Sequence, residues 1–221
     1  MIARVLLFGL LAAATVYIAV MAVLRRRSAR AASRSAHTRD FRFAASDPFD
    51  IPRRYGDLAL IACGHSPRAS NVTHGQMSGR PVRGFDFRCE AGHAARRMPR
   101  HYSVLVVEAC DLPDVLMWHV DDLPLAPLAA REGRTGVGAW QCVGDEDAAR
   151  RIAGVCGELA ERPVSVQSRG GKLLFCVPAG AAGRHALEPG DVAGPIERLL
   201  GSSPGGDGPA SADVANHGPA R

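Results

Sequence analysis

The chain has 221 residues, 47% of them apolar and only 5% aromatic, with a formal net charge of +5 at pH 7. That length suits one domain with appendages, and the composition calls for a core of Val, Leu, Ile and Ala. The positive charge does not mark a nucleic-acid-binding face. Arg25, Arg26, Arg27, Arg30, Arg34 and Arg39 cluster in one short segment and leave the remainder close to neutral. No RNP-like aromatic set and no zinc-finger spacing occurs either.

The first element is "MIARVLLFGLLAAATVYIAVMAVLRRRSAR", in which no residue from Val5 to Leu24 is charged. About 20 apolar residues in a helix rise ~30 Å, the thickness of a hydrocarbon core. A cleaved signal peptide would carry its basic residues before a shorter apolar run. Here only Arg4 precedes the run and the arginines follow it. Residues 1–24 are therefore expected to be an uncleaved anchor, with residues 5–24 contacting the lipid bilayer. The positive-inside rule puts Arg25 onward in the cytoplasm, at the cell membrane. Arg25, Arg26, Arg27 and Arg30 are the expected membrane-surface contacts, each contributing about 1 kcal/mol on anionic headgroups. Ala19-Val20-Met21-Ala22 could serve as a cleavage site, which leaves an exported, disulfide-containing domain as an alternative.

Residues 25–49 are expected to form a basic juxtamembrane linker. Residues 201–221, "GSSPGGDGPASADVANHGPAR", are too poor in apolar side chains to offset their chain entropy and are expected to be disordered. The folded unit is then 50–200. Its predicted strands are 57–63, 80–90, 101–110, 113–120 and 136–143. In 80–90, Phe85, Phe87 and Cys89 share one face, and the Val/Leu run of 101–110 is too apolar to face water on either side. A helix is predicted over 145–162, opened by Asp145 as N-cap and carrying Ala148, Ile152, Val155, Cys156 and Leu159 on one stripe. Pro163 ends it, and 163–178 reads as a hairpin turning at Arg169-Gly170-Gly171-Lys172. The fold class is α+β: a mostly antiparallel sheet with one packed amphipathic helix, a small pleckstrin-like barrel being the variant.

Chemistry is sparse. The six cysteines include no C-x-x-C pair and sit at core positions of predicted elements. Cys63, His65, Cys89 and His93 could supply two sulfurs and two nitrogens to a metal, or a thiol with a base. That metal or enzyme reading is the alternative to a non-catalytic binding or scaffold module, and no cofactor, nucleic acid or small-molecule substrate is expected. There is no G-x-S-x-G elbow and no dinucleotide fingerprint. The first places for a protein partner are exposed sheet edges and the basic loop Arg96-Arg97-Met98-Pro99-Arg100.

One stretch carries a resemblance. Gly64-His65-Ser66, Ala69, Asn71-Val72, Gly75, Gly79-Arg80, Val82, Phe85-Asp86 and Leu112-Pro113 follow the pattern of a group of bacterial single-pass membrane-anchored proteins. The match covers roughly 60–120. The resemblance implies an N-terminal anchor but no activity and no site residue. It also implies that Phe87 and Cys89, which fall where the group has aromatics, pack in a core, and that Ser66 and Asn71 bond to backbone in a turn.

Overall fold

A computed structural model of the chain describes residues 8–20, 22–23, 41–92, 97–119, 135–158, 164–179, 187 and 189–201. Nine strands form one antiparallel sheet: β1 (Arg42–Ser46), β2 (His65–Met77), β3 (Arg80–Ala91), β4 (Met98–Glu108), β5 (Val115–His119), β6 (Thr135–Val137), β7 (Trp140–Gly144), β8 (Ser165–Arg169) and β9 (Lys172–Pro178). Their order across the sheet is β1-β2-β3-β4-β9-β8-β5-β7-β6. Edges β1 and β6 do not meet, so the sheet is open and the barrel variant is not formed: closure would need a ninth ladder between strands that lie at opposite ends.

Strand β4 explains the layering. Val104 and Val106 face one apolar cluster and Leu105 and Val107 the other, all four fully buried. Its neighbour β9 is buried from Leu173 to Val177. Strands this apolar on both faces require cover on both. On one face lie α3 (Glu146–Glu158) and α4 (Pro189–Gly201), contributing Ala148, Ile152, Val155, Cys156, Val192, Ile196 and Leu199. On the other lie two single-turn helices, α1 (Ile51–Arg54) and α2 (Ala59–Ala62), contributing Ile51, Tyr55, Leu58, Leu60 and Ile61. The architecture is thus α+β, with helices on two faces rather than one.

Local chemistry accounts for the elements that match expectation. The Asp145 carboxylate accepts the Ala148 N–H at 2.7 Å and caps α3. In the β8–β9 turn Gly170 and Gly171 both have positive φ, 55° and 73°, as a two-residue hairpin requires. Phe85, Phe87 and Cys89 do share a buried face.

Five segments differ. Residues 57–63 are not a strand: Ile51, Tyr55 and Leu58 recur at i, i+4 and i+7, and Leu58, Leu60 and Ile61 all enter the same cluster, which alternation could not achieve. Asp47 starts this pair of turns by accepting the N–H groups of Phe49 and Ile51, at 2.9 and 2.7 Å. Residues 65–77, where the resemblance implies a turn held by Ser66 and Asn71, are strand β2, with register shifts between His65 and Arg68 and between Ser70 and Thr73. Ser66 and Asn71 sit at these bulges with φ of 51° and 52°. Residues 42–46, within the segment read as linker, pair with β2 as β1. Residues 136–143 are not one strand but the β6–β7 hairpin, folded at Gly138 with φ 58°. Helix α4 was not anticipated, because its Gly and Pro content masks the spacing of Val192, Ile196 and Leu199. Leu159, Pro163, the start of the basic loop and residues 202–221 lie outside the described residues.

Residues 8–20 and 22–23 are helical and exposed, and no helix among the described residues is long and apolar enough to cross a membrane. Residues 1–7, 21 and 24–40, which complete the expected anchor and carry Arg25, Arg26, Arg27 and Arg30, lie outside the described residues.

Gly75 shows how tightly β1 and β2 are set. A Cβ built there would fall 2.6 Å from Cδ1 and 2.9 Å from Cε1 of the buried Phe41 ring. Gly75→Ala is expected to cost roughly 1–3 kcal/mol by overpacking. Denaturant titration of this variant measures it, with Phe41→Leu in the same background expected to restore part of the loss; an unchanged midpoint would disprove the packing account.

Candidate functional site

One set of interacting charged groups joins α1 to the sheet. Glu108, at the end of β4, accepts from the Tyr55 hydroxyl at 2.7 Å, pairs with Arg83 of β3 at 2.6 Å and with Arg54 at 3.2 Å. Arg83 also donates to the Tyr55 oxygen at 2.9 Å and lies 4.9 Å from the centre of the Phe49 ring. Phe49 meets His74 edge-on at 4.9 Å. Burial pushes the Glu108 carboxyl up, but the hydrogen bonds from Tyr55, Arg83 and Arg54 outweigh it and hold it below the usual range. Burial, then the bond to Glu108, pushes Tyr55 up to about 12. His74 is held below its ordinary value by burial and by Arg42 and Arg83. Every polar arm of Glu108 and Tyr55 is thus committed inside the cluster, which makes it a clamp for α1 rather than an acid–base pair facing a substrate.

The cysteine and histidine candidates lie elsewhere. Cys63 follows α2 and its Sγ contacts the Leu60 carbonyl oxygen at 3.0 Å. Cys89 is buried beneath Gly64, where an added Cβ would meet both the Cys89 Cβ and, at 2.7 Å, its sulfur. His65 is exposed and stands opposite Glu90 in the ladder, while His93 lies outside the described residues. The structure therefore brings Cys63 and Cys89 to the apolar cluster under α1 and α2. Among the described residues no three His, Cys, Asp or Glu side chains converge for a metal. All six cysteines are thiols, five of them buried, and burial pushes Cys156 up to about 12.

Asn71, expected to bond to backbone, instead donates to the Asp86 carboxylate at 2.6 Å, which its left-handed bulge allows. Burial holds Asp86 above the ordinary carboxylate range even so. A cleft of about 270 Å³ opens between the β2–β3 turn and the last turns of α4, lined by Met77, Arg80, Val107, Ile196 and Leu200. It falls just under the roughly 300–1,000 Å³ of small-molecule pockets, and the Ser78 hydroxyl bonds to Glu197 at 2.5 Å across its rim. Of the basic loop, Arg97, Met98 and Pro99 are exposed and Arg100 half-buried, and Arg96 lies outside the described residues.

No family model and no curated protein matches this sequence. A solved structure does. The mycobacterial trehalose monomycolate transport factor A, TtfA, is similar at a TM-score of 0.52 and 15% identity, over 79% of this chain and 95% of that one. At that identity the likeness is one of fold.

Two outcomes follow from the geometry. Glu108→Ala is expected to cost roughly 1–3 kcal/mol, because it strands the half-buried Arg83 guanidinium. Its folded pKa is depressed, so its contribution is present above the ordinary carboxylate pKa and disappears as pH falls through the lower folded value. Acid unfolding curves of the variant should therefore be shallower than those of the parent. A thiol reagent added to the native protein is expected to label half-buried Cys63 first and the other five only on unfolding. Fast labelling of Cys156 would contradict the packing.

Proposed function

We propose that this chain is a single-pass membrane protein whose α+β domain is a non-catalytic binding module at the inner face of the bacterial plasma membrane, acting on a lipid or on an assembly that moves one. The observation that carries the reading is the fold shared along 95% of the transport factor's chain. Three features support it. The uncharged run Val5–Leu24 has the length of a bilayer span and is followed by arginines. Its described part is helical and presents Phe8, Leu10, Leu11, Val16, Tyr17 and Ile18 with more than half of their surface uncovered, apolar area that lipid would bury. Six thiols in one domain fit a reducing compartment and favour cytoplasmic orientation over export. The chemistry of the module is that of surfaces: the strongest charged cluster is closed on itself, and the α4 cleft is small.

The test uses the full chain with a C-terminal tag in a bacterial host. The protein is expected in the membrane fraction, resistant to carbonate extraction, with its tag protected from external protease until the cells are lysed. Release by carbonate would remove the anchor. Digestion of the tag in intact spheroplasts would invert the orientation.

A further inference from the structure

The two ends of the β2–β3–β4 ladder differ in how far acids balance their cations. At the end where β2 turns into β3, cations are met: Arg54 and Arg83 by Glu108, and Lys172 by Asp57 at 2.8 Å. At the other end, where β3 passes to β4, the described arginines outnumber the described acids. The register sets Arg68 of β2 directly opposite Arg88 of β3, and Arg88 opposite His101 of β4. Arg100 stands one step along, opposite Cys89. Like charges placed directly across a ladder are unfavourable unless something negative joins them. Among the described residues two carboxylates are near: Asp86, half-buried, bonded by Asn71 and also drawn to Arg88 and His101, and Glu90, which pairs with Arg97 at 3.9 Å with both side chains nearly half exposed. Among the described residues Arg68, Arg88, Arg97 and Arg100 thus share two acids, an excess of positive charge at this end. At the tip of the same end is Met98, 59% exposed. It is the one large apolar side chain of the sheet domain so exposed among the described residues. An apolar tip ringed by arginines is the composition of a segment that rests on an anionic bilayer, where the guanidinium groups meet phosphates and the thioether enters the acyl boundary.

We propose that the β3–β4 end, through Met98, Arg97, Arg100, Arg88 and Arg68, docks the domain onto the anionic headgroups of the membrane that holds its anchor. The proposal rests on the anchored reading. Chain geometry permits it. Strand β1 joins the ladder opposite His74, about 27 Å of strand from the tip. The 17 residues 25–41 span at most roughly 60 Å. The domain would then be tethered by its anchor and oriented by its hairpin, leaving the α4 cleft and the clamped end turned away from the lipid.

The test places the full chain, carrying Met98→Trp, in nanodiscs made with bromine-labelled acyl chains. The lipid is phosphatidylcholine alone or mixed with phosphatidylglycerol. Emission of the added indole is taken as the difference from the parent, which holds Trp118 and Trp140. The expected result is loss of that emission in anionic discs, persistence in zwitterionic ones, and recovery at high salt, which needs no further substitution. Arg97→Glu should abolish the loss as well. Equal brightness in both lipids, or equal quenching in both, overturns the proposal, and points respectively to a protein partner or to insertion without charge recognition. Failure of the parent to fractionate with the discs is a separate result that removes the anchor. The same readout with sealed vesicles of the two compositions then decides the hairpin by itself.

Discussion

The structure depends on the two-sided burial of β4 and β9. A strand carrying Val104, Leu105, Val106 and Val107 in succession has no face to offer to water, and neither has Leu173 to Val177 beside it. Each fully buried side chain of this size is worth roughly 1.5–3 kcal/mol, so leaving either face bare would forfeit a large part of the domain's stability. The consequence is three layers. Helices α3 and α4 cover one face, and the single turns α1 and α2 cover the other.

The polar groups at this core serve to hold the covers in place. Single-turn helices have too few internal hydrogen bonds to persist alone. Gln167, buried in β8, accepts the Ala59 N–H at 2.7 Å and so caps α2 from the sheet. Glu108 and Arg83 hold α1 through Tyr55. On the other face, the Ser103 hydroxyl accepts the Leu187 N–H at 2.9 Å ahead of α4. These side chains are therefore spent on architecture. Among the described residues the excess of arginine over acid falls at the β3–β4 end, away from these clamps.

The bulges of β2 show how the stretch resembling anchored bacterial proteins is used. Gly64, Ser66, Asn71 and Gly75 are not turn residues in sequence order but solutions to close contacts. Gly64 leaves room for Cys89 and Gly75 for Phe41, while Ser66 and Asn71 take the left-handed backbone that resets the register. The same geometry aims Asn71 at Asp86, whose carboxylate also interacts with Arg88 and His101.

What the sequence determined by itself was whatever short-range physics decides. The period of 145–158 and its Asp145 cap, the Gly170-Gly171 turn, the buried face of Phe85, Phe87 and Cys89, and the two-faced run of β4 all depend on neighbours within one or two turns of chain. Tertiary structure decided the rest. Whether 57–63 became strand or helix rested on a cluster built from residues as distant as Cys176. Whether Cys63 and Cys89 formed a site or a packed face rested on Gly64 lying over Cys89. Whether an arginine met a carboxylate or another arginine across the ladder rested on register, which brings Arg83 to Glu108 and sets Arg68 against Arg88. Register is fixed by bulges and by packing across the whole sheet, so no window of sequence contains it.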